Sequence, residues 1–170
     1  MAGTADVLKG INCLKDVHYP VLVPNQKGLD DLIALLEANP STPPLTDEVS
    51  VFTAATDAFT RANLNCTVAQ SLERLSQVTR AALDRKLRVR GYVSVVIACP
   101  FSGRVDYKRV REVAKALVEM GCYEVSLGDT VGQGRPHEIG EMLEEVKKSV
   151  PVEKLAVSCC SAYRLVCLIE

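Results

Sequence analysis

Three features of the sequence predict an α/β fold of about five parallel strands joined by crossover helices. Five runs are dominated by Val, Leu, Ile or Tyr, amphipathic helical runs lie between them, and the strand-plus-helix unit recurs every ~30 residues. That spacing fits an open, doubly wound sheet, and it equally fits an eight-unit barrel with some units missing. Spacing alone leaves both open.

The first strand is expected over residues 19–23 and is followed by a helix over 29–37. NPSTPPLTD (39–47) then combines proline with polar turn formers and can continue neither neighbour, so it reads as an extended surface loop. The second strand covers 49–53. Thr67 can cap a helix whose Leu72, Leu75, Val78, Ala82 and Leu83 form one apolar face. The third strand is placed at 90–98. Beyond it Val110, Val113, Ala114, Leu117 and Met120 form a stripe at three- and four-residue spacing, closed by Gly121. The fourth strand is 123–127. Pro136 opens a helix through Ile139, Leu143 and Val146, and 154–159 is the fifth strand. There are no internal repeats.

The chain has 170 residues, 48% hydrophobic and 24% charged, with 20 Lys+Arg against 21 Asp+Glu, which suits one globular domain with its own core. A net charge of −1 and short basic runs mixed with acids give no nucleic-acid footprint. The longest apolar stretch, 92–99, falls far short of the ~20 residues of a bilayer-spanning helix. Seven cysteines without regular spacing argue for buried thiols in a reducing compartment rather than a disulfide framework. Residues 1–17 lack the pattern of a secretory signal or transit peptide.

The chemistry-bearing signal is SLGDTVGQGRP, where Gly128, Gly132 and Gly134 follow the fourth strand. Such a loop can present backbone N–H groups and the Asp129 carboxylate to a ligand. A dinucleotide fingerprint is not formed, because GQGRPH lacks the third glycine of G-x-G-x-x-G. Asp129 stands just past a strand's carboxyl end, the side on which both α/β architectures build their sites.

RGYVSVVIACP (90–100), MGCYEVSLGDTVGQGRP (120–136), YPVLVPNQKG (19–28) and FTRANLNC (59–66) together resemble the 3-hydroxy-3-methylglutaryl-CoA lyase family. The likeness runs from about Val7 to Val157, with the Pro-rich loop resembling an insertion. It implies a partial (β/α)8 TIM barrel, here residues 1–157 with a divergent tail at 158–170. It also implies Mg²⁺ or Mn²⁺, an acyl-CoA thioester substrate, and cleavage to acetoacetate and acetyl-CoA as in ketone-body formation and leucine degradation. By the same resemblance the compartment is mitochondrial.

Carried onto this sequence, the resemblance places Ser126, Asp129 and Thr130 along the acyl-group pocket, and Tyr92 and Ser94 in another of its walls. Asn63 matches a position near the CoA arm. Plainer roles stay open: Tyr92 as barrel filler, Ser94 as an ordinary strand serine, Asn63 as a loop-capping amide, Asp129 as a solvated turn residue.

No catalytic residue or metal ligand is assigned. Where the family carries His-x-His followed by Asp, this chain reads Ser158, Cys160 and Ser161, and a thiolate at Cys160 would favour softer ions such as Zn²⁺. A zinc site from Cys159, Cys160 and Cys167 is disfavoured, because adjacent strand residues point to opposite faces and no CxxC pair exists. His18 and His137 read as surface or capping groups. The first two strands, with their Arg-Asp-Gly motif and a following Glu, and the late glycine-rich loop with its Cys and a downstream Asn, have no counterpart here. The expectation is an incomplete member, catalytically very weak or dead alone, whose open edges promote homo-oligomers or pairing with another subunit. The alternative is a non-catalytic remnant that binds acyl-CoA.

Overall fold

A computed structural model describes residues 3–14 and 16–159. Five strands form one parallel sheet in the order β1-β2-β3-β6-β7: β1 (Val21–Leu22), β2 (Glu48–Ala54), β3 (Arg88–Ser94), β6 (Glu124–Asp129) and β7 (Leu155–Cys159). The five expected strands are all present in chain order. A separate antiparallel hairpin, β4 (Ala98–Cys99) and β5 (Gly103–Arg104), follows β3. The helices are α1 (Thr4–Gly10), α2 (Gln26–Ala38), α3 (Asp57–Leu64), α4 (Val68–Asp84), α5 (Tyr107–Glu119) and α6 (Pro136–Lys147).

Strand alternation divides the sheet into two unlike faces. Val49, Val51, Val89, Val93, Val125 and Leu127 form the buried helix-facing side, meeting Leu75, Val78, Val110, Leu117 and Met142 in one core. The other face carries Glu48, Ser50, Phe52, Arg90, Tyr92, Ser94, Glu124 and Ser126 and is only partly covered. Helices cover the apolar side alone, the one-sided arrangement of a wall of a parallel barrel, whose helices ring the outside.

Helix ends follow sequence chemistry. The Thr67 side chain accepts from the Gln70 N–H at 3.2 Å and the Gln70 side chain returns the bond to the Thr67 N–H at 3.0 Å, a capping box. Asp106 caps α5, and the chain leaves that helix through Gly121 at φ 109°, where a Cβ would lie 2.6 Å from Leu83 Cδ1. Leu83 therefore packs over this turn while its residue stays 40% exposed, outside the apolar face expected for it.

The largest correction concerns residues 90–98. The strand stops at Ser94, Val95 takes φ 56°, and Ala98 belongs to the hairpin. A valine in the left-handed region is uncommon, and here its N–H is bound by Thr130. Helices α1 and α3 were also not anticipated, both being too short to show a clear apolar period. The Pro-rich loop lacks regular structure, and buried Thr46 pins its end by donating to Tyr19 O at 2.7 Å and accepting from the Glu48 N–H at 3.0 Å.

Candidate functional site

The candidate site lies at the carboxyl ends of β2, β3 and β6. Register places Phe52, Tyr92, Ser126 and Ala156 in one row across four strands. Ala54, Ser94, Gly128 and Ser158 form the next row toward the carboxyl ends. Residues directly paired across a sheet share a face, so Tyr92, Ser94 and Ser126 are brought together on the open polar side. Among the described residues the Ser94 and Ser126 hydroxyls have no hydrogen-bond partner; Ser94 is half-buried and Ser126 is buried at 4% exposure.

Beneath this row the Arg90 guanidinium pairs with Glu124 and sits 5.4 Å from the Tyr92 ring centroid. Burial works against the Arg90 cation, but Tyr92 and Glu124 outweigh it and hold its pKa above the ordinary value. The floor is therefore the Arg90–Glu124 ion pair.

Asp129 and Thr130 take a different position. Asp129 falls on the opposite strand parity from Ser126 and is 3% exposed. Its Oδ2 accepts from the Gly134 N–H at 2.8 Å and its Oδ1 from the Gln133 N–H at 3.3 Å. The carboxylate thus closes its own loop and is not solvated. Gly134 is required by the close approach: a Cβ there would lie 2.9 Å from both Asp129 Oδ2 and Ile139 Cδ1. The Thr130 hydroxyl accepts from the Val95 N–H at 2.9 Å and so ties the β6–α6 loop to the chain leaving β3.

Asn63 is exposed in the last turn of α3, beside a cleft of about 410 Å³ that also touches Asn25, Phe52 and Arg74. The left-handed residue that ends this helix is Asn65 at φ 51°, donating to Arg61 O at 3.2 Å, so the capping role belongs to Asn65. The Asn63 amide is left on the cleft.

Sequence reasoning missed Cys99 and its partners. Thr56 Oγ1 donates to Cys99 Sγ at 3.2 Å. Burial opposes the thiolate, yet hydrogen bonds from Ser102, Thr56 and the backbone at Phe101 and Ser102 bring the thiol below its ordinary value. Cys122, buried without such donors, is pushed up to about 12. Nothing in the spacing of these cysteines separates the two.

The described residues do not assemble a divalent-cation site. No three His, Cys, Asp or Glu groups converge among the described residues. The Asp129 oxygens are taken by backbone N–H groups. His18 Nδ1 pairs with Asp47 Oδ2 at 2.8 Å, before β1 and far along the strands from their carboxyl ends. His137 is exposed in the first turn of α6. Ser158 is exposed near the end of β7, and the positions of Cys160, Ser161 and Cys167 lie outside the described residues, as does the tail beyond 159.

A parallel sheet with helices on one face, a polar open face, and hydroxyls gathered at the strands' carboxyl ends defines the class: one arc of an α/β barrel of the kind that acts on small substrates at that end. The HMGL-like family model matches residues 6–161, and this chain belongs to that family. The mitochondrial hydroxymethylglutaryl-CoA lyase of Gallus gallus is 47% identical over 163 residues, covering 96% of this chain and 52% of the relative. The crystal structure of hydroxymethylglutaryl-CoA lyase from Pseudomonas aeruginosa superposes with a TM-score of 0.85 at 43% identity, covering 94% of this chain and 50% of that one. An HMG-CoA lyase of A. baumannii, solved with coenzyme A and 3-methylmalate, matches at TM-score 0.78 and 26% identity over 92% of this chain and 48% of that one. The chain spans about half the length of the curated relatives it matches. Curated relatives include both mitochondrial and cytoplasmic proteins.

Proposed function

We propose that this chain forms the acyl-CoA-facing wall of a 3-hydroxy-3-methylglutaryl-CoA lyase barrel, and that by itself it binds the CoA thioester without cleaving it. The observation that carries this reading is the pairing of Tyr92 with Ser126, with Ser94 one row further out, on the open face of adjacent strands. Two hydroxyls without protein partners and an aromatic edge suit a polar acyl group and its thioester carbonyl, which need donors and little charge. The CoA arm would lie toward Asn63 and its cleft. A neighbour solved with coenzyme A supports the ligand class.

The whole reaction would be carbon–carbon cleavage to acetoacetate and acetyl-CoA, for which Mg²⁺ or Mn²⁺ would supply Lewis acidity. The residues described here do not fit that cation, so the chain's own contribution is to bind and orient: Ser94 and Ser126 toward the acyl oxygens, Tyr92 against its carbon skeleton, and Asp129 and Thr130 as the frame of the adjoining loop. The compartment we infer is mitochondrial.

Calorimetry with 3-hydroxy-3-methylglutaryl-CoA, run beside an Mg²⁺-supplemented acetoacetate assay, tests both halves of the proposal. Binding without acetoacetate supports it. Turnover by the chain alone overturns the claim of inactivity, and absence of binding overturns the pocket.

A second reading concerns partners. β1 and β7 are the outermost strands of the five-stranded sheet among the described residues, each hydrogen-bonded to a strand on one side. We infer that another strand-bearing surface, a second copy or a companion subunit, pairs there. A monomer by sedimentation at micromolar concentration would count against it.

A further inference from the structure

The excursion between β3 and α5, residues 95–105, runs across the carboxyl ends of the sheet and is fixed on two flanks. On the β2 side the Ala55 N–H donates to Ser94 O at 3.1 Å, Thr56 meets Cys99, and the Phe59 and Phe101 rings lie 6.2 Å apart. On the β6 side the Val95 N–H donates to Thr130 Oγ1 and the Val96 N–H to Gly128 O at 3.2 Å. Ile97 Cγ1 lies 3.2 Å from where a Gly134 Cβ would be. Arg104, at the end of the hairpin, pairs with Glu138.

Glu138 is the informative partner. It is 7% exposed although it stands in the first turn of α6, and both carboxylate oxygens are used. Oε1 accepts from Arg104, and Oε2 accepts from the Arg135 N–H at 2.8 Å. Asp129 closes the start of the loop 129–135 through Gln133 and Gly134, and Glu138 closes its exit at Arg135. A carboxylate this buried needs its cation, because removing one member of such a pair leaves an uncompensated charge. Arg104 thereby ties the loop exit to the hairpin.

We propose that Arg104 and Glu138 form a latch that sets the β6–α6 loop from the hairpin, making both positioning residues for the pocket wall at Gly128 and Thr130. The link to the pocket rests on the acyl-CoA reading above, whereas the latch itself rests only on the contacts just given. Neither residue touches ligand in this assignment. The latch acts by holding Arg135 and, through it, the N–H groups that Asp129 accepts from. Arg104 has a largely exposed side chain, so replacing it removes the charge without opening the core.

The test is residue-resolved hydrogen exchange on the full chain for wild type, R104M, R104K and the reversed pair R104E/E138R, with acetyl-CoA titrations alongside. In R104M the Gln133 and Gly134 amides should exchange about tenfold faster, the response expected of local opening, while Val51 and Val93 in the sheet keep their rates. R104K should restore protection at 133 and 134. Unchanged exchange at 133–134, acceleration spread evenly over the sheet, or failure of both R104K and the reversed pair to restore protection would each overturn the latch. Acetyl-CoA affinity should fall about tenfold in R104M and recover in R104K, the size of change expected when a residue outside the pocket stops holding its wall. If exchange responds as stated while wild type binds no acetyl-CoA, the latch stands and the pocket reading falls.

Discussion

The Tyr123 hydroxyl donates to Glu48 Oε1 at 2.9 Å, joining the start of β6 to the start of β2 across the intervening β3. Arg88, at the start of β3, places its guanidinium 4.2 Å from the Tyr123 ring centroid and 3.7 Å from Glu48 Oε2. Three strands are thus tied at the amino-terminal end, opposite the candidate site, where polar layers serve stability. Glu48 is 2% exposed, and its Oε2 has no hydrogen-bond partner among the described residues.

Replacing Tyr123 by Phe should cost about 1–3 kcal/mol, the range for stranding a buried acceptor. Burial and the Glu48 carboxylate push the Tyr123 phenol up to about 12, against Arg88 and Arg90, which lower it. A raised acid pKa means that the folded state holds its proton more tightly than the unfolded one. The stabilisation is therefore full below about pH 10 and is lost as pH rises toward about 12. Urea melts at pH 9 and pH 11 should show wild type losing its advantage over Y123F; equal slopes in the two proteins would refute this.

Asp129→Ala should destabilise by about 2–3 kcal/mol, because hydrogen bonds to a charged acceptor are each worth about 1.5–3 kcal/mol and the two to Gln133 and Gly134 share one carboxylate. Gly134→Ala should cost about 1–3 kcal/mol by overpacking against Asp129 and Ile139. The double variant should lose less than the sum, since both changes act on one loop. Chemical denaturation of the four proteins checks the cycle.

Ser126→Ala, which removes only the hydroxyl from this buried position, should leave the melting temperature within a few degrees and weaken CoA-thioester binding by about tenfold, the loss of one hydrogen bond to ligand. Ser94→Ala should behave alike. Calorimetry on both variants decides whether this row meets the acyl group.

Cys99 should react with a small alkylating reagent at a lower pH than Cys122, whose thiol burial raises to about 12. Thr56→Val removes one donor to Cys99 Sγ and should move its reactivity profile to higher pH. Mass-spectrometric mapping after a short pulse distinguishes the two thiols.

Runs of Val, Leu, Ile or Tyr closed by turn signals made the five strands legible, and the 3.6-residue apolar stripe made the four main helices so, because each is the direct imprint of a buried face. Gly121 and the Thr67 cap were equally readable, since each depends on one residue and its immediate neighbours. The end of β3 was not. RGYVSVVIACP is apolar throughout, and nothing local marks Val95 as the point where the chain leaves the sheet. Helix α3 was hidden for the complementary reason that two turns carry too few apolar positions to show a period.

The candidate site divides along the same line. The motifs in the sequence carried the family resemblance, which implied a pocket lined by Tyr92, Ser94, Ser126, Asp129 and Thr130, and the strand pattern put Asp129 just past a carboxyl end. Only the tertiary structure decided their orientation: the first three face the open side, whereas Asp129 and Thr130 are spent on backbone N–H groups of the loop and of Val95. The physical reason is range. Composition and spacing record which face of its own element a residue prefers, but a hydroxyl or carboxylate at a strand's end is claimed by whichever N–H the fold brings within about 3 Å, and that is set by contacts between segments far apart in the chain.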